Sequence, residues 1–279
     1  MTNSINLSGK VAVVTGASRG LGQRVALRLA AQGAAVSLVA RTADLLAQTA
    51  EAIRQQGGTA VAYPADISDA ARAAEIGRQV QEQLGTATIL VNGAGIFGPI
   101  DLFKDTDPAR WIETIMINTI GPYLYCRTFV NGMIEQGWGR IINFTSAASL
   151  HPPGFLNSAY GTSKVAVNQM TRHLAAELEG TGVTANVIHP GDVKTDMWEY
   201  IRGIVEKMPG KPAEAYLTWA QWVEETGGDD PEKAADLVLN LMRDEAASVT
   251  GQFLWIEDGL QAPIPSWGER TTTQPWRKK

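Results

Sequence analysis

The chain has 279 residues, 44% of them apolar and 19% charged, with a formal net charge of −5. This composition fits a globular chain of one large α/β domain or two small ones, and its acidic balance speaks against a nucleic-acid partner, which wants a basic stripe. A single cysteine, Cys126, excludes an intrachain disulfide and a multi-cysteine metal site, and His151, His173 and His189 are too scattered to suggest zinc, so no metal is expected.

The opening MTNSINLSGK has no apolar core of a signal peptide, and no apolar run approaches the ~18 residues of a membrane helix. The expectation is a soluble, cytoplasmic protein with no membrane partner. Residues 10–15 form a short β-branched run and predict a buried strand ending in a glycine-bearing loop. Residues 21–33 predict a helix, with Val25, Leu29 and Ala30 at helical spacing and Gly33 as its stop. Strands at 34–41, 59–68 and 87–95 then alternate with helices at 43–58 and 69–85. Single helices between sequential strands force a parallel sheet, and the near-continuous apolar character of the strands fits burial on both faces.

Residues 107–137 predict one long helix, with Asp107 as N-cap, Pro108 at the first position and a kink near Gly121-Pro122. A strand at 139–149, a long helix at 158–182 and a strand at 183–193 follow. Residues 196–230 hold no strand pattern. There Tyr216, Trp219, Ala220 and Val223 share one helical face, and Trp198 and Trp222 add aromatic surface. Pro231 opens a helix to about residue 243, and residues 249–259 supply a seventh strand. The prediction is a single domain over 1–260: α/β, Rossmann-like, a doubly wound parallel seven-stranded sheet with helices on both faces. Residues 261–279 form a C-terminal extension whose Trp267 and Trp276 suggest docking on the domain or on a neighbouring subunit.

In TGASRGLG, Gly16, Gly20 and Gly22 sit where strand one turns into helix one. A turn this tight needs residues without a Cβ, and its amides and the helix N-terminus face an anion, typically a pyrophosphate. The spacing G-x-x-x-G-x-G differs from the commonest dinucleotide fingerprint and lacks the Gly-Lys-Ser/Thr of a P-loop. At the end of strand two, an acidic side chain would bond a ribose 2′-hydroxyl and repel a 2′-phosphate. Here Ala40, Arg41 and Thr42 follow one another, and Arg19 lies in the glycine loop. Two guanidiniums can hold a phosphate by charge-assisted bonds, so a nucleotide with a 2′-phosphate is favoured over one without.

Six motifs in order, TGASRGLG, ADIS, NGAG, a serine ending strand five, YGTSK and HPGDVKTDM, resemble the short-chain dehydrogenase/reductase family over roughly residues 7–260. The resemblance implies hydride transfer between a nicotinamide cofactor and a carbonyl or alcohol carbon, in a homotetramer or homodimer. It implies cofactor contacts from Gly16, Ser18, Arg19, Gly20, Leu21, Gly22 and Arg41, from Asp66 and Ile67, and from Asn92, Ala94 and Gly95. Pro190, Gly191, Val193 and Thr195 complete them. Asp66 reads equally as a helix cap, a part that Ser68 or Asp69 could play. Gly93 departs from the family's Asn-Asn-Ala-Gly.

Tyr160 and Lys164 lie four apart, on one face of a helix. A nearby cation stabilises a phenolate and lowers its pKa, so Tyr160 is the expected acid/base and both residues also border the cofactor. Ser146, fourteen residues before Tyr160, matches the family serine that polarises the carbonyl oxygen, with Thr145 and Ser149 as neighbouring alternatives. Asn118 resembles the helix asparagine that holds a water beside the lysine, and His189 reads as structural. Residues 196–230 are expected to form a substrate lid. Phe97, Leu150, Phe155 and Trp198 are candidate walls for an apolar or ring-bearing small molecule. The expected function is NADP(H)-dependent carbonyl reduction and its reverse. The alternatives are an NAD-dependent alcohol dehydrogenase, a 3-oxoacyl thioester reductase and, from another class, a catalytically silent nucleotide-binding regulator.

Overall fold

A computed structural model describes residues 5–150 and 154–256, together with the backbone of 260–261. The strands β1 (Val11–Thr15), β2 (Ala35–Ala40), β3 (Ala60–Pro64), β4 (Ala87–Asn92), β5 (Gly139–Phe144), β6 (Val183–His189) and β7 (Phe253–Trp255) are all parallel. Their spatial order is 3-2-1-4-5-6-7. The expected seven-stranded, Rossmann-like single domain is present. One element was not foreseen: β8 (Leu260–Gln261) pairs antiparallel with β7 at the edge. Two residues are too few to carry a periodic signal.

Side-chain alternation along the strands builds two cores. Ala12, Val14, Ile89, Val91 and Ile142 pack with α1 (Gly20–Ala31) and α2 (Ala43–Gln55) on one face. Val11, Val13, Leu90 and Ile141 pack with α3 (Ala70–Gln83) on the other. The strand order reverses between β1 and β4, so their carboxyl ends diverge and open a crevice there, the usual place for a ligand in such sheets.

The predicted helix over 107–137 is three pieces: α4 (Pro108–Ile115), a π-helical turn (Met116–Ile120) and α5 (Gly121–Glu135). Asp107 caps α4 by accepting from the Ala109 amide at 2.9 Å. Pro122 has no N–H to give the Asn118 carbonyl, which removes one α-helical bond and favours a wider turn. The irregularity therefore falls just before the proline rather than on it. Gly121 faces Ile67, whose Cδ1 would lie 2.6 Å from a Cβ there and would have to shift.

α6 (Ser158–Glu177) leads to β6. Residues 196–230 hold two helices, α7 (Asp196–Val205) and α8 (Lys211–Thr226), and α9 (Pro231–Leu241) packs beside α1. Ala220 and Val223 of the expected α8 face are buried, whereas Trp222 is exposed. Among the described residues no helix is long and apolar enough to cross a membrane. Trp267, Trp276 and nearly all of the C-terminal extension lie outside the described residues.

Candidate active site

A cavity of about 660 Å³ opens at the reversal point. Its floor is the glycine loop between β1 and α1. Gly16 takes φ +71°, and a Cβ on it would lie 2.8 Å from Ala94 Cα; a Cβ on Gly22 would lie 2.4 Å from the Gly16 carbonyl oxygen. The two strand ends can close on each other only because these positions lack side chains. The Ala94 amide donates to Thr15 Oγ1 at 3.3 Å and ties β4 to β1. Gly93 belongs to this close approach, since a Cβ there would lie 3.1 Å from the Thr15 carbonyl oxygen.

At one end the cavity is lined by Ala40, Arg41, Asp66 and Ile67, at the other by Tyr160, Lys164, Pro190, Val193 and Thr195. Ser18, Arg19, Gly20, Leu21, Gly95 and Phe97 also line it. Burial acts to raise the Asp66 pKa, but two hydrogen bonds from Ser68, at 2.9 and 2.7 Å, and the nearby Arg41 hold it below the ordinary carboxylate value. Asp69, not Asp66, caps α3 by accepting from the Arg72 amide at 3.0 Å. Asp66 is thereby left facing the cavity. A long cleft with a side-chain-free loop, an Arg/Asp end and a Tyr/Lys end fits a dinucleotide. Gly95 extends that cradle: a Cβ would crowd Asn118 Oδ1 at 3.3 Å.

Two residues expected at the cofactor, Asn92 and Gly191, do not line the cavity, whereas Arg19 does. Asn92 is buried below the cavity, where its amide donates to Asn143 Oδ1 at 2.8 Å and contacts Cys126. The pleat of β4 turns that side chain into the sheet's other face. Gly191 does not line the cavity; with φ +87° it packs where a Cβ would lie 2.4 Å from Ile256 Cδ1. Arg19 is drawn across the cleft, with Nη1 2.7 Å from Asp196 Oδ2 at the start of α7.

At the other end, Tyr160 is buried on α6 and stacks on Phe97 with ring centroids 4.7 Å apart. Lys164 Nζ lies 5.5 Å from the Tyr160 ring centroid and donates to the Phe144 carbonyl at 2.9 Å. Ser146 follows the end of β5. Its Oγ accepts from the Ala148 amide at 3.2 Å, and Ser146 acts to lower the Tyr160 pKa. Of the serine and its alternatives only Thr145 lines the cavity, and its Oγ1 donates to Asn168 at 2.5 Å, while Ser149 Oγ donates to the Ser146 carbonyl at 2.6 Å.

The expected lowering of the Tyr160 pKa is reversed in this structure. Burial pushes the phenol up to about 12, against the pull of Ser146, and Asp192 adds to the rise. Burial also pulls Lys164 down to about 8. Desolvation is the largest cause of the Tyr160 shift and the cause of the Lys164 shift. Asn118, on the π-helical turn, accepts from the Ile96 amide at 2.9 Å and donates to the Ile96 carbonyl at 2.8 Å and to Ser163 at 3.0 Å. It pins the loop that carries Phe97. His189 accepts from the Ala147 amide at 3.3 Å and supports the Ser146 turn, as its structural reading requires.

Of the four expected substrate walls, only Phe97 lines the cavity. Leu150 packs with Val167 and Phe253 on the far side of α6. Phe155 is 51% exposed outside the cleft, and Trp198 is 2% exposed beneath α7, flanked by Lys194 and Arg202. The sequence reading missed Met197, Tyr200, Arg110 and Glu113, which do line the cavity. Tyr200 accepts from Arg110 at 2.8 Å and donates to the Gly98 carbonyl at 3.1 Å. The spacing of α7 held the signal: Trp198, Ile201 and Val205 form its buried stripe, which leaves Met197 and Tyr200 to face the cleft.

The short chain dehydrogenase family model matches residues 10–203. Galactitol 2-dehydrogenase (L-tagatose-forming) of Cereibacter sphaeroides is 36% identical over 261 residues, covering 91% of this chain and 95% of that protein. An NAD+-bound xylitol dehydrogenase superposes with a TM-score of 0.82 at 26% identity, over 90% of this chain and 98% of the other. L-sorbose reductase of Gluconobacter frateurii, complexed with NADPH and L-sorbose, shares the fold with a TM-score of 0.79 at 24% identity, over 90% and 96% of the two chains. The matched segment carries the glycine loop, Ser146, Tyr160 and Lys164, and this chain belongs to the short-chain dehydrogenase/reductase family of oxidoreductases.

Proposed function

We propose that this chain is an NADP(H)-preferring oxidoreductase that interconverts a carbonyl compound and its secondary alcohol. The observation that carries the reading is the pairing of Tyr160 and Lys164 on the wall at one end of the dinucleotide-shaped cleft, with Ser146 close enough to Tyr160 to act on its pKa. When bound, the nicotinamide supplies the hydride in reduction and takes it back in oxidation. In reduction the carbonyl carbon gains the hydride, and its oxygen takes the Tyr160 hydroxyl proton. The Ser146 hydroxyl donates to the same oxygen as its charge grows. Lys164 stabilises the phenolate left behind, which regains a proton from solvent. Oxidation runs the same transfers in reverse, with the Tyr160 phenolate as base.

The preference for NADP(H) is supported by Ala40 where an acid would favour NAD(H), and by Arg41 and Arg19 on the cavity wall. Asn118 positions Phe97 through the Ile96 backbone. We read the segment 196–230 as a substrate lid, since Met197 and Tyr200 of α7 reach the cavity. The relative named for oxidising galactitol to L-tagatose supports a secondary alcohol. Phe97 stacked on Tyr160 supports a substrate with an apolar or ring-bearing part, beside a polar mouth of Arg110 and Glu113. The protein is read as a cytoplasmic homotetramer or homodimer.

The test is cofactor oxidation against aliphatic, aromatic and cyclic ketones, hydroxy ketones, β-ketoesters and acyl thioesters, with NADPH and NADH in parallel. Turnover favouring NADPH is the expected result. Turnover confined to NADH would overturn the cofactor preference, and binding of neither nucleotide would overturn the reading as a whole.

A further inference from the structure

Among the described residues, one ion pair spans the cleft from the glycine loop to α7: Arg19 Nη1 to Asp196 Oδ2, at 2.7 Å. Both side chains line the cavity and are more than half exposed, at 65% and 62%. Arg19 is the residue preceding α1, and its side chain does not cap that helix. Asp196 opens α7, where a carboxylate is favoured by the helix dipole. Lys194, just before α7, and Arg202, in its last turn, both pair with Glu224 of α8, at 3.0 and 2.9 Å. Those pairs join α7 to α8, and the Arg19–Asp196 pair joins that unit to the glycine loop.

This bears on the proposed preference for NADP(H), on which the inference rests. Arg19 cannot give the same guanidinium edge to Asp196 and to an adenosine 2′-phosphate. We infer that Asp196 is a cofactor-selectivity residue. Its carboxylate competes with a 2′-phosphate for Arg19, so a phosphorylated nucleotide releases α7 from the glycine loop and an unphosphorylated one leaves the pair closed. Cofactor identity thereby sets the attachment of the lid.

The experiment titrates the full chain with NADPH and with NADH in three forms: parent, Asp196→Asn and Arg19→Gln. The readout is the ratio of the NADH to the NADPH dissociation constant. Asp196→Asn should raise this ratio about threefold to fivefold, the range an exposed ion pair can supply. Arg19→Gln should lower it. Hydrogen exchange of residues 196–205 in the parent should be faster with saturating NADPH than with NADH, and that difference should vanish in Asp196→Asn. If Asp196→Asn leaves the ratio unchanged while Arg19→Gln lowers it, the competition is refuted and Arg19 stands as a phosphate ligand. If Arg19→Gln also leaves the ratio unchanged, both the inference and the role of Arg19 in cofactor preference fail.

Discussion

Replacing Lys164 by Met should stabilise the folded chain while abolishing turnover. Lys164 is buried and its pKa falls from 10.5 to about 8 through burial. At about 1.4 kcal/mol for each factor of ten, keeping the ammonium charged at neutral pH costs about 3 kcal/mol of folding free energy. Met retains the stem and removes the charge. It also removes the donor to the Phe144 carbonyl, and a buried unpaired acceptor costs about 1–3 kcal/mol. The net expectation is a gain of about 1 kcal/mol at neutral pH. The pH dependence isolates the cause. Between about 8 and 10.5 the unfolded chain holds more protons at this lysine than the folded chain does. The parent's stability therefore rises with pH through that window, and the advantage of Lys164→Met fades. Urea unfolding of both proteins from neutral pH upward measures the gap. A variant less stable than the parent at neutral pH, with a gap that stays constant to the top of the window, would refute the reasoning.

Carbonyl reduction should be flat with pH through neutrality, because burial keeps the Tyr160 phenol protonated, and should decline above about 8 as Lys164 loses its charge. Alcohol oxidation should instead climb with pH as the phenolate fraction grows; parallel pH–rate profiles in the two directions check both. Ala40→Asp should weaken NADPH binding at least about tenfold, corresponding to about 1.4 kcal/mol, and improve NADH binding, as read by titration. Gly22→Ala should abolish nucleotide binding and lower stability by about 1–3 kcal/mol, because the new methyl meets the Gly16 carbonyl and neither backbone segment can yield.

The alternation of apolar strands and amphipathic helices was readable because both faces of the sheet are buried by local patterns: Val11 and Val13 face one core, Ala12 and Val14 the other. The antiparallel edge of Leu260–Gln261 was not readable, since its pairing depends on where the chain returns rather than on a period. The glycine loop was legible because glycine alone fits it, and Tyr160 and Lys164 because their spacing is local to one helix. Side-chain direction across long separations was harder. Asn92 carries a family motif yet turns toward Asn143, because the pleat, not the motif, sets its face. Trp198 and Leu150 are apolar enough for a pocket wall, but composition does not separate a wall from the packing behind it. The Tyr160 pKa went the other way for the same kind of reason. Spacing reveals the neighbouring cation, whereas burial is a property of the whole fold.

The central claim is that the Tyr160 hydroxyl delivers the proton. Tyr160→Phe removes that oxygen and keeps the ring that stacks on Phe97. On whichever ketone the parent reduces, cofactor consumption by Tyr160→Phe should fall about 10²–10⁴-fold, with NADPH still bound at close to parental affinity. Turnover within about tenfold of the parent at the same cofactor occupancy would contradict the account.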